Sequence, residues 1–337
     1  MSLTFDSARI PNPHLTEDHL AWRDALRRFV DKEIMPYAED WDEAGHIPIA
    51  LWPKAAEVGL LGAGYPEQYG GMETDSWHSW IINEELSRVG VGGLSASLMV
   101  HGIGLPPVIN WGTEAMKAEI APPVLRGESW ISLGITEPGG GSDVASLQTT
   151  AVRDGDHYIV NGSKTYITGG MRANYVSTAV RTGGDGATGV SMLLIPTDAE
   201  GFSRTALDKK MGWWASDTAT LYFDNVRVPV SNLIGQENQG FTVIMTNFNS
   251  ERMGMAAAME AYGRVCLEEA VNWARERQTF GKRLADHQVI RHKIAMMKQK
   301  LNATQAYIRI CYEAIEAGEA NAGDIALLKV QASEEME

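Results

Sequence analysis

The order of compositional zones predicts an α+β multidomain protein: an N-terminal all-α domain, a middle antiparallel β-barrel or sandwich, and a C-terminal four-helix bundle. Three observations carry this. Residues 16 to 126 repeat apolar side chains at helical spacing; residues 129 to 232 fall into short β-branched and aromatic runs; from Gly240 long helical spacing returns. The expected domain boundaries are 1–128, 129–238 and 239–337. With 337 residues and 44% hydrophobic content, the chain has material for two or three cores.

In the first zone, Thr16 stands as an N-cap before Glu17 and Asp18, and the pattern closes at Gly45. Further helices are expected from Ala50 to Gly59, Ser76 to Val89, Leu94 to Asn110 and Glu114 to Leu125. In the second zone, "TTAVRDGDHYIVNGSKTYITGG" offers two hairpin turns, Asp154-Gly155 and Asn161-Gly162. "YVSTAVRT", "GVSMLLIPT" and "TATLYFDNVRVP" continue the strands. No G-x-G-x-x-G links a strand to a helix, which argues against a dinucleotide-binding α/β domain. The third zone reads as helices from Phe241 to Arg275, Leu284 to Ala317, and onward from Gly323. Long antiparallel helices complete a four-helix bundle, and only about two and a half are encoded. The last helix carries no stop signal, so the sequence is expected to lack its natural C-terminal segment.

The formal net charge of −14 disfavours nucleic acid and anionic membrane surfaces as partners. Val89 to Thr113 carries no formal charge, but its Pro106-Pro107 pair and repeated glycines fit a buried helix and no membrane span. Cys266 and Cys311 read as core thiols in a reducing compartment. His287 and His292 are five apart, so no zinc helix and no metal is expected. The N-terminus shows no export or organelle signal, which makes a cytoplasmic location the expectation.

"WISLGITEPGGGSDVASL" leads from a strand into a glycine turn whose backbone N–H groups can approach an anion. No Lys follows, so it is not a P-loop; taken alone, it is better read as a plain flexible connection. It is followed in order by "NGSKTYITGG", "MGWWASDTATLYFDNVRVP" and "ERQTFGKRLADHQVIRHKIAMM". This series, from about Leu15 to the end, resembles the acyl-CoA dehydrogenase family of flavoproteins.

The resemblance implies FAD held between domains of a homotetramer and conversion of an acyl-CoA thioester to the trans-2-enoyl-CoA in fatty acid metabolism. An α-proton goes to a base, a β-hydride to flavin N5, and the electrons to an electron-transferring flavoprotein. Acyl-CoA oxidase or nitroalkane oxidase chemistry on the same fold, or a non-catalytic acyl-CoA-binding paralogue, are the alternatives. Leu133, Ile135 and Thr136 match the strand against the flavin ring; Gly141 and Ser142 end the glycine turn, Ser142 matching a position that touches both flavin phosphates and CoA. Tyr166, Ile167 and Thr168 occupy the place usually written Trp-Ile-Thr. Arg277, Thr279, Phe280 and Gln288 match positions that hold the FAD pyrophosphate and adenosine across a subunit interface.

One further stretch, "TNFNSERMGMAAAMEAYG", puts adjacent charges into apolar surroundings. At 100° per residue, Phe241, Met245, Phe248, Met255, Met259, Tyr262 and Cys266 form one stripe, with Arg252 inside it and Glu251 at its edge. Neighbours on a helix diverge, so mutual neutralisation is a poor account. A helix starting near Asn249 or Ser250 would make Glu251 an ordinary first-turn acid. The resemblance implies another reading, in which Glu251 matches the catalytic base of isovaleryl- and long-chain-type members, placed on the first bundle helix. Most relatives carry that base in a C-terminal segment beyond this sequence. Arg252 matches the arginine of an Asp-x-x-Arg pattern, Asn249 stands where that pattern has Asp, and Thr242 matches a substrate-lining position. Gly254 and Ala256 to Ala258 suggest a roomy acyl pocket.

Overall fold

The computed structural model describes residues 3–337. Its N-terminal helices are α1 (Glu17–Glu33), α2 (Ala38–Ala44), α3 (Leu51–Glu57), α4 (Ser76–Ser87), α5 (Gly92–Leu98), α6 (His101–Gly104), α7 (Pro106–Trp111) and α8 (Glu114–Leu125). The strands β1 (Ile131–Gly134), β2 (Thr150–Asp154), β3 (His157–Thr168), β4 (Tyr175–Arg181), β5 (Val190–Pro196), β6 (Phe202–Ala206), β7 (Thr218–Pro229) and β8 (Leu233–Ile234) follow. Then come α9 (Gly240–Glu276), a hairpin of β9 (Gln278–Thr279) and β10 (Lys282–Arg283), α10 (Gln288–Glu316) and α11 (Ala322–Met336).

Local chemistry accounts for the helix ends. Thr16 N-caps α1: its hydroxyl accepts from His19 N–H, and its own N–H donates to His19 Nδ1 at 3.0 Å. This is a capping box with an imidazole in place of the usual acid. The helix expected from Leu94 to Asn110 is instead three short ones. Pro106 begins α7, where its missing N–H costs nothing. Among the described residues, no single helix is long and apolar enough to cross a membrane.

The chain folds into two compact units. One comprises Pro36–Glu73 and Val91–Phe248. Its sheet runs β6-β7-β3-β2-β4-β5-β8, with β1 also paired to β4. The pairings are antiparallel except β1 with β4, and the single contact of β2 with β4, which are parallel. The expected turn at Asp154-Gly155 forms, since Asp154 pairs with His157. The turn expected at Asn161-Gly162 does not: β3 continues through it with a register shift against β7. Gly162 has φ 144°, and a Cβ there would lie 2.7 Å from Thr149 Oγ1. The glycine therefore serves a bulge and a close strand approach, not a chain reversal. β5 is buried on both faces: Met192 and Leu194 join one apolar cluster with Ile131, Ile135, Val243 and Ile244. Leu193 and Ile195 join a second, with Val160, Val180 and Leu221.

The other unit comprises the chain up to Met35, Thr74–Gly90 and Asn249–Glu337. α1 packs on α4, and α10 on both α4 and α11. Trp77, Trp80 and Tyr312 form an aromatic core, the last two stacked with centroids 5.7 Å apart. Met253, Ala256, Ala257, Ile308 and Leu328 close around them. Ala256 and Ala257 are thus core residues, a correction to the expectation that they help to form an acyl pocket; their small size lets α9 approach its neighbours closely.

The predicted apolar stripe of α9 is also corrected. Met255 and Cys266 are exposed, so only Cys311 is a core thiol. The fully buried face of this unit's part of α9 carries Ala256, Ala257, Glu260, Ala261, Arg264 and Leu267. Arg264, 0% exposed, pairs with Glu84 and with Glu260, and Arg9 reaches Glu84 at 2.9 Å. Burial would raise the Glu84 carboxyl, but Arg264 and Arg9 outweigh it and hold it below the usual range. Glu260 has a weaker share of Arg264, and burial pushes it up to about 8. The ions are tolerated because they are paired, and hydropathy alone gives no sign of them.

Candidate active site

α9 begins at Gly240, so Glu251 lies in its fourth turn and is not a first-turn acid. The side chain is half-buried. That burial pushes its carboxyl up to about 7, with the Arg252 guanidinium acting in the opposite sense. Arg252 Nη1 donates to Asn249 Oδ1 at 3.0 Å, three residues back on the same face. Asn249 thus supplies the acceptor that an Asp would, without the charge. The result is a carboxylate whose basicity is matched to neutral pH, which is what general-base chemistry requires. Gly254 follows one turn on, and a Cβ there would meet the Asn83 amide at 3.7 Å.

In the β-containing unit, two segments named from the sequence come together. Thr165 N–H donates to Thr136 O at 2.8 Å, and Ser132 Oγ to Thr168 O at 2.8 Å. This places Leu133, Ile135 and Thr136 beside Tyr166, Ile167 and Thr168. Leu133 and Thr136 are part-exposed, Ile135 and Ile167 buried, and Thr168 part-exposed. Tyr166 adopts φ 59° where the β3–β7 register slips between Lys164 and Ile167, and it is 65% exposed. A left-handed aromatic residue on a bulge is strained, and such strain concentrates at functional sites. The glycine turn closes through reciprocal Glu137–Gly140 backbone bonds of 3.0 and 3.1 Å, with Gly141 and Ser142 exposed beyond it. A Cβ at Gly139 or Gly140 would meet nothing within 4 Å. Thr242 is exposed on the first turn of α9, in this same unit.

In the helical unit, Arg277, Thr279, Phe280 and Gln288 gather at the β9–β10 hairpin. Phe280 and Gly281 form its two-residue turn with φ 52° and 72°. Asn-Gly is the usual choice for two such positive angles. A phenylalanine here, 96% exposed, is held out into solvent by the backbone. Thr279 Oγ1 lies 3.2 Å from His287 Nε2, and Arg277 and Gln288 are exposed. Glu251, Asn249 and Arg252 belong to this unit as well.

Two residues escaped the sequence reading. Lys164, 0% exposed inside β3, donates to Ile135 O at 3.0 Å and pairs with Glu137 at 2.8 Å. Glu137 sits in "TEPGGG" and Lys164 in "NGSKTY"; the available signal was a lysine at an inward-facing position of an alternating strand. One cluster has metal-ligand types: His19, Asp75 and His78 bring their ligand atoms within 4.8 Å. However, His19 Nδ1 accepts from Thr16 N–H, so in the neutral ring Nε2 carries the proton and donates to Asp75 at 3.0 Å. Asp75 also N-caps α4. The cluster is a hydrogen-bonded clasp between two helix starts.

The chain thus runs from helices through a bulged sheet bearing a glycine turn to a long helix that carries a half-buried carboxyl, the element order of a helical–β–helical protein. Sequence profiles agree: the acyl-CoA dehydrogenase N-terminal domain matches residues 16–128, the middle domain 132–226 and the C-terminal domain 238–337. The chain belongs to the acyl-CoA dehydrogenase family, whose members are FAD-dependent. It is 39% identical to the acyl-CoA dehydrogenase AFT10-1 of Alternaria alternata over 316 residues, 89% of this chain and 73% of that one. The acyl-CoA dehydrogenase structure from Geobacillus kaustophilus superposes with a TM-score of 0.93 at 34% identity, covering 97% of this chain and 86% of its own. A glutaryl-CoA dehydrogenase of Mycobacterium smegmatis, solved in complex with FADH2, gives 0.89 at 28% identity, covering 96% and 82%.

Proposed function

We propose that this chain catalyses the α,β-dehydrogenation of an acyl-CoA thioester to the trans-2-enoyl-CoA, with Glu251 as the base that takes the α-proton. The observation that carries this is the interior, half-buried Glu251 carboxyl, held near neutrality by its burial. FAD, when bound, supplies the acceptor for the β-hydride. The exposed Tyr166 ring on its bulge and the open glycine turn fit a flat ring and its phosphates. Leu133, Ile135, Thr136, Gly141, Ser142, Ile167 and Thr168 complete that binding surface in this reading. Ser142, Thr242, Asn249 and Arg252 are each assigned to the substrate in this reading, Ser142 and Asn249 to its CoA portion. Arg277, Thr279, Phe280 and Gln288 reach the cofactor of a neighbouring subunit: an exposed planar guanidinium suits a pyrophosphate, and an aromatic in full solvent suits a surface covered on assembly. A homotetramer in the cytoplasm, serving fatty acid metabolism and passing electrons to an electron-transferring flavoprotein, completes the reading.

The test is anaerobic mixing of the yellow protein with a panel of straight and branched acyl-CoAs. At least one is expected to bleach the flavin absorbance, with slow return in air. A flavin-loaded protein that none of them reduces contradicts the proposal, and rapid reoxidation by oxygen would instead mark an oxidase. The pH profile has a definite sign. Glu251 works only when deprotonated and its carboxyl sits at about 7, so kcat/KM should rise from pH 6 to pH 8 and then level off. A profile that is flat over this range would assign the base to another group.

A further inference from the structure

We infer that the buried Glu137–Lys164 pair is a positioning device that locks the glycine turn to the Tyr166 bulge, setting the geometry of the flavin surface. The inference rests on the proposed function for the identity of that surface; the geometry is independent of it. Lys164 Nζ spans to Ile135 O at 3.0 Å and to Glu137 Oε1 at 2.8 Å. The other bonds to Glu137 come from the backbone: Thr149 N–H reaches Oε1 at 2.9 Å and Gln148 N–H reaches Oε2 at 2.6 Å. Its own main chain closes the turn onto Gly140. One carboxylate and one ammonium therefore tie together the segment 135–140, the entry to β2 at 148–149, and the end of β3.

The residues assigned to the flavin sit directly on these three anchors. Ile135 and Thr136 immediately precede Glu137, Gly141 and Ser142 follow its turn, and Tyr166 is two residues beyond Lys164. Lys164 is 0% and Glu137 8% exposed, so neither touches solvent enough to act as a ligand-binding charge. Burial pushes the Lys164 amine down to about 8 against the pull of Glu137. Burial would raise Glu137, but Lys164 and the amide bonds outweigh it and keep it ionised. Such a pair stabilises a fold little better than apolar side chains of equal volume. What it adds is direction: four fixed donor–acceptor vectors where an apolar contact has none. A turn containing three consecutive glycines has no side chains of its own to set its position, so the constraint has to come from Glu137.

The test compares the parent with Glu137→Gln, Lys164→Met and the double variant, in which no lone charge is left buried. Apoprotein is titrated with FAD by flavin fluorescence, and the visible spectrum and thermal midpoint are recorded. The FAD dissociation constant is expected to rise about tenfold in the double variant, the weight of one net hydrogen bond, with loss of fine structure in the flavin band. In loaded enzyme kcat should fall about 10²-fold, as a misplacement of ~1 Å does, with KM changed less. Variants that melt earlier yet bind FAD with the parent's affinity and spectrum would show a merely structural pair, and so would a double variant that does not fold. A parent that binds no FAD overturns the proposed function and the pair's role with it. A parent that binds FAD beside variants that bind it equally well overturns the pair's role alone.

Discussion

Glu251→Gln slows the anaerobic bleaching of bound flavin by an acyl-CoA by about 10²- to 10⁴-fold, the usual contribution of a positioned general base, while FAD content and fold are retained. The substitution is close to isosteric and removes only the ability to take a proton. Glutamine is a good helix former, and α9 is continuous through this position. The lost charge was not stabilising, since burial already disfavours the ionised form. Thermal stability should therefore be unchanged or slightly higher. That split between activity and stability separates a catalytic carboxylate from a structural one. A structural Glu251 would give the converse, a lower melting point with ordinary flavin reduction.

The largest expected loss of stability comes from Arg264→Met. Arg264 is fully buried and is the cation shared by Glu84 and Glu260. Methionine fills much of the volume but leaves the two carboxyls facing each other, with Arg9 the remaining partner of Glu84. Breaking a buried pair in this way costs about 3–5 kcal/mol, enough to lower the midpoint of unfolding by ~10 °C. Glu260→Gln should behave in the opposite manner. The Glu260 carboxyl is raised from its ordinary value of 4.5 to about 8 in the folded state. Its contribution to stability is therefore fully present below the unfolded value and is lost as pH rises through the folded one. At pH 5 variant and parent should melt alike, and at pH 8 the variant should melt no lower than the parent. Thermal scans at the two pH values decide this; a variant that is weaker at pH 8 would mean that Glu260 is charged and paired.

Much of this was legible in the sequence because local rules were obeyed locally. Thr16 with its following acids marks the start of α1, Asp154-Gly155 makes a hairpin, and the change of period near residues 129 and 240 separates strands from helices. The failures have identifiable causes. Asn161-Gly162 has turn composition, but its glycine is used for a close approach to Thr149, a tertiary demand that overrides turn chemistry. On α9, a stripe drawn through the large apolar residues missed the true buried face, because that face is made of alanines and of an ion network completed from α4 and from Arg9. Glu251 was legible as an oddity of pattern, and the helix boundary at Gly240 removed one reading of it, that of a first-turn acid. Tyr166 and Phe280 were chosen for identity alone. That both are held exposed by left-handed backbone is a property of bulge and turn, which no residue-by-residue reading reveals.

The most direct measurement isolates proton removal from hydride transfer. An acyl-CoA whose β-carbon bears no hydrogen, such as a 3,3-dimethylbutyryl thioester, can lose its α-proton but cannot be oxidised. In deuterated buffer near pH 8, the protein should exchange those α-hydrogens for deuterium, detected by mass spectrometry, and Glu251→Gln should reduce the exchange to the level without protein. Exchange that continues in the variant at the parent's rate would place the base elsewhere in the molecule.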